Sequence, residues 1–218
     1  MIQGVDQKHG RQATFKANRY TGIAGNGMHV NLSLLDEKGN NVFSNPNEIR
    51  GSKTLQHAIG GLTTTMKDSM SLFCPNANSY RRFQPNLHVA MAPTWGVDNR
   101  TVAVRIPNSP EDAKRLEHRI AGADANPYLV VSALLAGIHF GITEKITPPK
   151  ISTGDASVDH PPELPLSLDE SLNSFVNSSF IKKYFGETFC EHYHIFKTIE
   201  MKRFNKHVTP LELDWYLR

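Results

Sequence analysis

The chain has 218 residues, 39% of them hydrophobic, enough to bury a core as one domain or a large part of one. Its formal net charge of +3 is too small to argue for nucleic acid. The longest apolar run, Tyr128–Ile142, is 15 residues long and contains His139. That falls short of the roughly 20 needed to span a bilayer, so it reads as a buried helix rather than a membrane segment.

Two segments near the start read as strands, Gln12–Asn18 and Met28–Leu34. In the second, Met28, Val30, Leu32 and Leu34 alternate with His29, Asn31 and Ser33, which puts the two sets on opposite faces. Asp36-Glu37-Lys38-Gly39-Asn40 then turns the chain into a hairpin ending near Phe43. Ser52 caps a long helix whose apolar positions, Leu55, Ile59, Leu62, Met66, Met70 and Phe73, follow the 3.6-residue period. Gly60-Gly61 is a weak point inside it.

Thr101–Ile106 and Arg115–Ile120 alternate again. In the latter, Leu116, His118 and Ile120 oppose Arg115, Glu117 and Arg119. Asn126-Pro127 is a cap followed by proline at the first helical position. Residues 143–166 hold five prolines and read as a surface loop. The remainder is helical, and Ser167–Glu170 and Thr209–Glu212 match capping boxes. Strands first and helices last favour an α+β fold, with an antiparallel sheet, packed helices and a helical C-terminus.

Arginine is unevenly placed. Six of eleven (Arg81, Arg82, Arg100, Arg105, Arg115, Arg119) fall between positions 81 and 119, with only Asp98, Glu111, Asp112 and Glu117 as acids there. The planar guanidinium suits carboxylates and phosphates, so the cluster points to an anionic ligand or, more plainly, to a solvated face. Gly25-Asn26-Gly27 leads into the strand bearing His29, which can ligate a metal or satisfy a core hydrogen bond. Arg115-Leu116-Glu117-His118-Arg119 is either a self-neutralising ladder or a metal-binding carboxylate between two anion clamps. Cys190, His192 and His194 invite a zinc reading, but no second ligand pair stands at suitable spacing. Two isolated cysteines and a polar start (Met1 to Asp6) without a leader point to a reducing, cytoplasmic setting.

Four blocks resemble the signature segments of glutamine synthetases, in order and at matching spacing: Gly25–Leu34, Asn78–Pro85, Asp98–Pro107 and Ala125–Leu129. Lys197–Leu217 is similar to the family's C-terminal helix. The resemblance implies a partial catalytic domain over residues 1–218, without the family's N-terminal β-grasp domain and the first part of the catalytic domain. It implies His29 and Glu117 as metal ligands, and Gly25, Arg82 and Arg119 as glutamate-binding. It places Arg100 and Arg105 at the transferred phosphoryl group and Ser33 and Arg115 at the nucleotide. The implied cofactors are ATP and Mg²⁺ or Mn²⁺. The implied reaction phosphorylates the glutamate side-chain carboxylate and lets ammonia or an amine displace the phosphate. Family members assemble as homo-oligomers, in stacked hexameric rings.

Three departures from the family pattern matter. Most of the metal-binding glutamates would precede Met1, and one carboxylate with one histidine is a weak Mg²⁺ site. Asn31 stands where the family usually has a histidine near the nucleotide. His88 falls where ammonia-using members place a flap glutamate, and Trp95–Arg100 looks more like the polyamine-ligating branch, with Trp95 a possible cation contact. The expectation is a glutamate–amine ligase, with polyamine favoured over ammonia as acceptor and this half-chain inactive alone. Its rival is a non-catalytic remnant that binds or assembles without turnover.

Overall fold

The structure, a computed structural model, describes residues 2–84 and 89–217, so His88 lies outside the described residues. Four short strands form one sheet: β1 (Val30–Leu32), β2 (Trp95–Val97), β3 (Val104–Ile106) and β4 (Leu116–His118), in the order β1-β4-β3-β2. β4 pairs antiparallel with β1 and with β3. The expectation of an antiparallel sheet needs correction at one edge, where β2 and β3 run parallel. Alternation reports the faces of a strand but not its direction. The direction is set by the six residues between these strands. Asp98 takes a positive φ of 47° and Asn99 accepts from the Thr101 N–H, which returns the chain to the start of the ladder.

The helices are α1 (Ile2–Lys8), α2 (Lys53–Phe73), α3 (Pro127–Thr143), α4 (Ala156–Asp159), α5 (Leu168–Asn177), α6 (Ser179–Phe185), α7 (Glu187–Asn205) and α8 (Pro210–Tyr216). As the sequence predicts, Ser52 caps α2 by accepting from the Leu55 N–H, and Asn126 caps α3 by accepting from the Tyr128 N–H. Thr209 and Glu212 form a reciprocal capping box. At α5 only half of the box forms, because Glu170 Oε2 accepts from Leu166 N instead of Ser167 N.

The periodic positions of α2 are buried, and they pack with Phe43, Ile106, Leu116, Ile120, Leu134, Leu172 and Phe175 in one core. Within the Gly60-Gly61 pair, Gly61 lets α2 approach α3, while Gly60 packs against Ile146 just beyond it. A Cβ on Gly61 would lie 2.1 Å from the Gly137 carbonyl oxygen, and one on Gly141 would lie 2.1 Å from the His57 carbonyl oxygen.

Two sequence expectations fail here. Gln12–Asn18 is not a strand, since the Ala17 carbonyl accepts from Asn26 N and Asn18 N donates to the Asn78 side chain, so no ladder forms. The apolar helix α3 is buried on one face only, with Tyr128 82% exposed and Val131 and Leu135 also open. The expected loop forms over residues 144–166, since Thr143 is still the last residue of α3, and it is interrupted by the single turn α4. Among the described residues no helix is long and apolar enough to cross a membrane.

Candidate active site

Glu117 sits at the middle of the central strand, so its neighbours are set by sheet register. Opposite it stand Asn31 on β1 and Arg105 on β3. Leu116 and His118 point into the helical core, while Glu117 projects to the other face with His29, Asn31, Arg105, Arg115 and Arg119. The alternation in both segments therefore describes a real division between core and site.

Glu117 is 7% exposed and carries three partners. Its Oε2 accepts from Arg105 Nη1 and from Arg119 Nη1, each at 3.1 Å. Its Oε1 lies 3.2 Å from His29 Nδ1. Burial pushes the Glu117 carboxyl up, but the Arg105 hydrogen bond and the Arg119 charge more than offset it and hold the group below its ordinary value. Burial, and then the Arg119 charge, keeps the His29 imidazole below its usual range despite Glu117. At neutral pH this is an ionised carboxylate beside a neutral imidazole, the protonation states that metal binding requires.

The spacing of these two groups also fits a cation. Cis ligands on an octahedral ion at ~2.1 Å are about 3 Å apart, close to the observed His29–Glu117 distance. No group of three or more His, Cys, Asp or Glu side chains that could hold a metal occurs among the described residues, so His29 and Glu117 by themselves fall short of a complete site. The same observation leaves Cys190, His192 and His194 without a zinc site: Cys190 is buried in the core and His192 is exposed.

The other expected residues fall into two groups. Arg115 is on the face with its Nε donating to Asn31 Oδ1 at 3.1 Å, so the asparagine at position 31 orients this guanidinium. Ser33 is exposed just beyond the end of β1. Arg100 presents an exposed side chain, and its carbonyl accepts from Arg119 Nη2. Arg82 is different. It is 2% exposed beneath the glycine turn, donates from Nη1 to the Ile120 carbonyl, and has its side chain where a Cβ on Gly25 would fall (2.5 Å from Cγ). Gly25 is thus required by close approach, and Arg82 underlies the turn instead of standing open on the sheet face. Trp95 lies on the opposite face: it pairs with the buried Val104, and its indole N–H donates to the Pro149 carbonyl. That removes it as a contact for an acceptor at this site.

The sequence alone does not set Asp98 apart as a functional residue, yet it joins the site. Its carboxylate forms an ion pair with Arg105 Nη2, so Arg105 is gripped by Asp98 on one side and Glu117 on the other. The available signal was an acid two residues before Arg100 in an otherwise basic block. Its pairing depended on the unusual turn.

The family description "Glutamine synthetase, catalytic domain" matches residues 1–216. The chain is 38% identical over 218 residues to the gamma-glutamylputrescine synthetase PuuA of Escherichia coli, covering 100% of this chain and 46% of that protein. It is 36% identical to a glutamate–isopropylamine ligase of a Pseudomonas species, covering 99% and 48%. Among solved structures, ligand-free GmaS superposes with a TM-score of 0.88 at 30% identity, over 99% of this chain and 50% of that one. The chain therefore spans about half the length of the relatives it matches. Ordered motifs, the α+β fold and the family match together establish that this chain belongs to the glutamine synthetase catalytic-domain family.

Proposed function

We propose that the chain supplies the C-terminal part of the active site of a glutamate–amine ligase, a partial catalytic domain whose remaining ligands lie outside the described residues. The observation that carries this reading is the Glu117 cluster: a buried carboxylate and a neutral histidine 3.2 Å apart, flanked by two arginines on one sheet face. Two basic forks beside two metal ligands is the donor set that in-line phosphoryl transfer needs. Relatives named for ligating putrescine and isopropylamine to glutamate support an amine acceptor.

On this reading His29 and Glu117 hold a divalent ion, Mg²⁺ or Mn²⁺, which would neutralise phosphate charge. Arg105, fixed by Asp98 and Glu117, and the exposed Arg100 face the γ-phosphoryl group of ATP as it moves to the glutamate γ-carboxylate. Arg115 and Ser33 contact the nucleotide. Gly25, Arg82 and Arg119 hold glutamate, with the turn over Arg82 shifting to admit it. The resulting γ-glutamyl phosphate is attacked by the amine, and phosphate leaves. Assembly into stacked hexameric rings belongs to the same reading, in keeping with the exposed Leu213, Trp215 and Tyr216 of α8. The free, buried Cys74 and Cys190 support a cytoplasmic setting.

The acceptor gives the test. A neutral imidazole offers one acceptor nitrogen and a protonated one repels a cation, so His88 replaces a carboxylate poorly as an ammonium site. The chain alone is expected to release no ADP with glutamate and amine. Supplied with a chain carrying the family's preceding catalytic segment, it should prefer a diamine over ammonia in kcat/KM, and His88→Glu should shift the ratio toward ammonia. A higher kcat/KM for ammonia that His88→Glu leaves unchanged would refute the amine assignment.

A further inference from the structure

One arginine of the cluster, Arg81, takes no part in the sheet-face site. It lines a separate cavity of about 400 Å³ with Lys16, Arg19, Asn18, Asn78 and Gln84. Three exposed cations, Lys16, Arg19 and Arg81, line it, and no carboxylate is among the lining residues. None of the three makes an ion pair among the described residues. Like charges brought together in a concave pocket repel one another and focus a positive potential, which an anion relieves.

The pocket is built by fixed contacts. Asn18, itself buried, donates from its backbone N–H to Asn78 Oδ1 at 2.9 Å and from Nδ2 to the Arg81 carbonyl at 3.1 Å. Gln84 Nε2 donates to the same carbonyl at 2.9 Å. These bonds hold the Arg81 backbone and leave Asn78 Nδ2 as a further donor. The Arg19 guanidinium lies 4.9 Å over the Tyr20 ring. A polar, cation-rich lining suits an oxyanion better than an apolar ligand.

We propose that this pocket binds a small oxyanion, a phosphate or a carboxylate, apart from the Glu117 cluster. Its rim also supports the glycine turn, since Asn26 donates from Nδ2 to the Lys16 carbonyl and from its backbone N–H to the Ala17 carbonyl. An anion that orders Lys16 and Arg19 therefore steadies the turn. The relevance of that link to glutamate binding rests on the ligase reading, whereas the anion site does not.

The test titrates the full chain with sodium phosphate and, separately, with sodium glutarate at constant ionic strength, followed by amide NMR. Saturable shifts are expected at Asn18, Asn78, Arg81 and Gln84, and the tighter of the two anions identifies the class. An Arg19→Gln, Arg81→Gln double variant should weaken binding about tenfold or more, the loss expected for charge-assisted hydrogen bonds. Should that variant lose its dispersed spectrum, Lys16→Gln, at an exposed position, should still weaken binding measurably. No saturable shift with either anion, undiminished binding in the folded variant, or shifts confined to His29 and Arg119 would overturn the assignment. Phosphate shifts at the pocket in a chain whose spectrum ignores glutamate and ATP would keep the anion site and count against the ligase reading alone.

Discussion

Gly61→Ala should destabilise the protein by about 2–4 kcal/mol, although alanine is the better helix former. In an isolated helix the exchange gains about 1 kcal/mol. Here the new Cβ would lie 2.1 Å from the Gly137 carbonyl oxygen and 2.6 Å from Gly141 Cα and N, all backbone atoms of a facing helix that cannot rotate away. Relief requires α2 and α3 to part by roughly 1 Å, and a gap of that size forfeits a quarter to a half of each dispersion contact. With wells of ~0.15 kcal/mol over about 70 atom pairs, the loss comes to about 3–5 kcal/mol, which exceeds the propensity gain. Two controls sharpen the reading. Gly137→Ala meets Thr65 Oγ1 at 2.9 Å and Leu62 Cδ2 at 3.1 Å, side-chain atoms, with backbone no nearer than 3.7 Å, so its cost should be smaller. Gly4→Ala, on exposed α1 with nothing within 4 Å, should be neutral or stabilising. Urea unfolding followed by circular dichroism measures all three. Gly61→Ala within about 0.5 kcal/mol of the parent protein, or above it, would refute the close crossing.

The remaining predictions concern charge. Arg115→Ala should weaken ATP binding by about 1.5–3 kcal/mol through loss of a charge-assisted hydrogen bond, whereas Arg50→Ala, away from the sheet face, should change it little. Equal effects in calorimetric titration would mean the cluster is only a solvated face. The second concerns His118, which is fully buried against Phe73 with neither ring nitrogen hydrogen-bonded, and burial, then the His29 charge, pushes its pKa down to about 3. The unfolded chain, with an ordinary histidine near 6.5, binds that proton first, so this stability is complete above about pH 6.5 and falls as pH drops towards 3. By pH 5 the loss is about 2 kcal/mol. His118→Leu should flatten the slope between pH 7 and 5 by that amount, and an unchanged slope in urea titrations would show that the imidazole is solvated.

Much of the site is legible in the sequence alone. Alternation in Met28–Leu34 and Arg115–Ile120 already put His29, Asn31, Arg115, Glu117 and Arg119 on faces opposite their apolar neighbours, because the period of a strand is a local property. Local chemistry likewise fixed Ser52, Asn126 and Thr209 as caps, since each bonds an N–H two or three residues away. Tertiary structure decided whatever depended on a distant partner. Gln12–Asn18 carries a strand-like composition, yet its backbone groups bond to Asn26 and Asn78. The apolar stretch of α3 is covered where α2 and α6 pass, which leaves Tyr128 open, and Gly61 is a means of close packing only because Gly137 and Gly141 lie opposite. Trp95 and Arg82 follow the same rule. The aromatic character of Trp95 and the charge of Arg82 do not tell where either stands: the register of β2 turns Trp95 towards Pro149, and the glycine turn packs over Arg82. A sequence states which side chains share a face. Which face meets another layer is set by long-range packing, where each residue's partner is chosen by the fold as a whole.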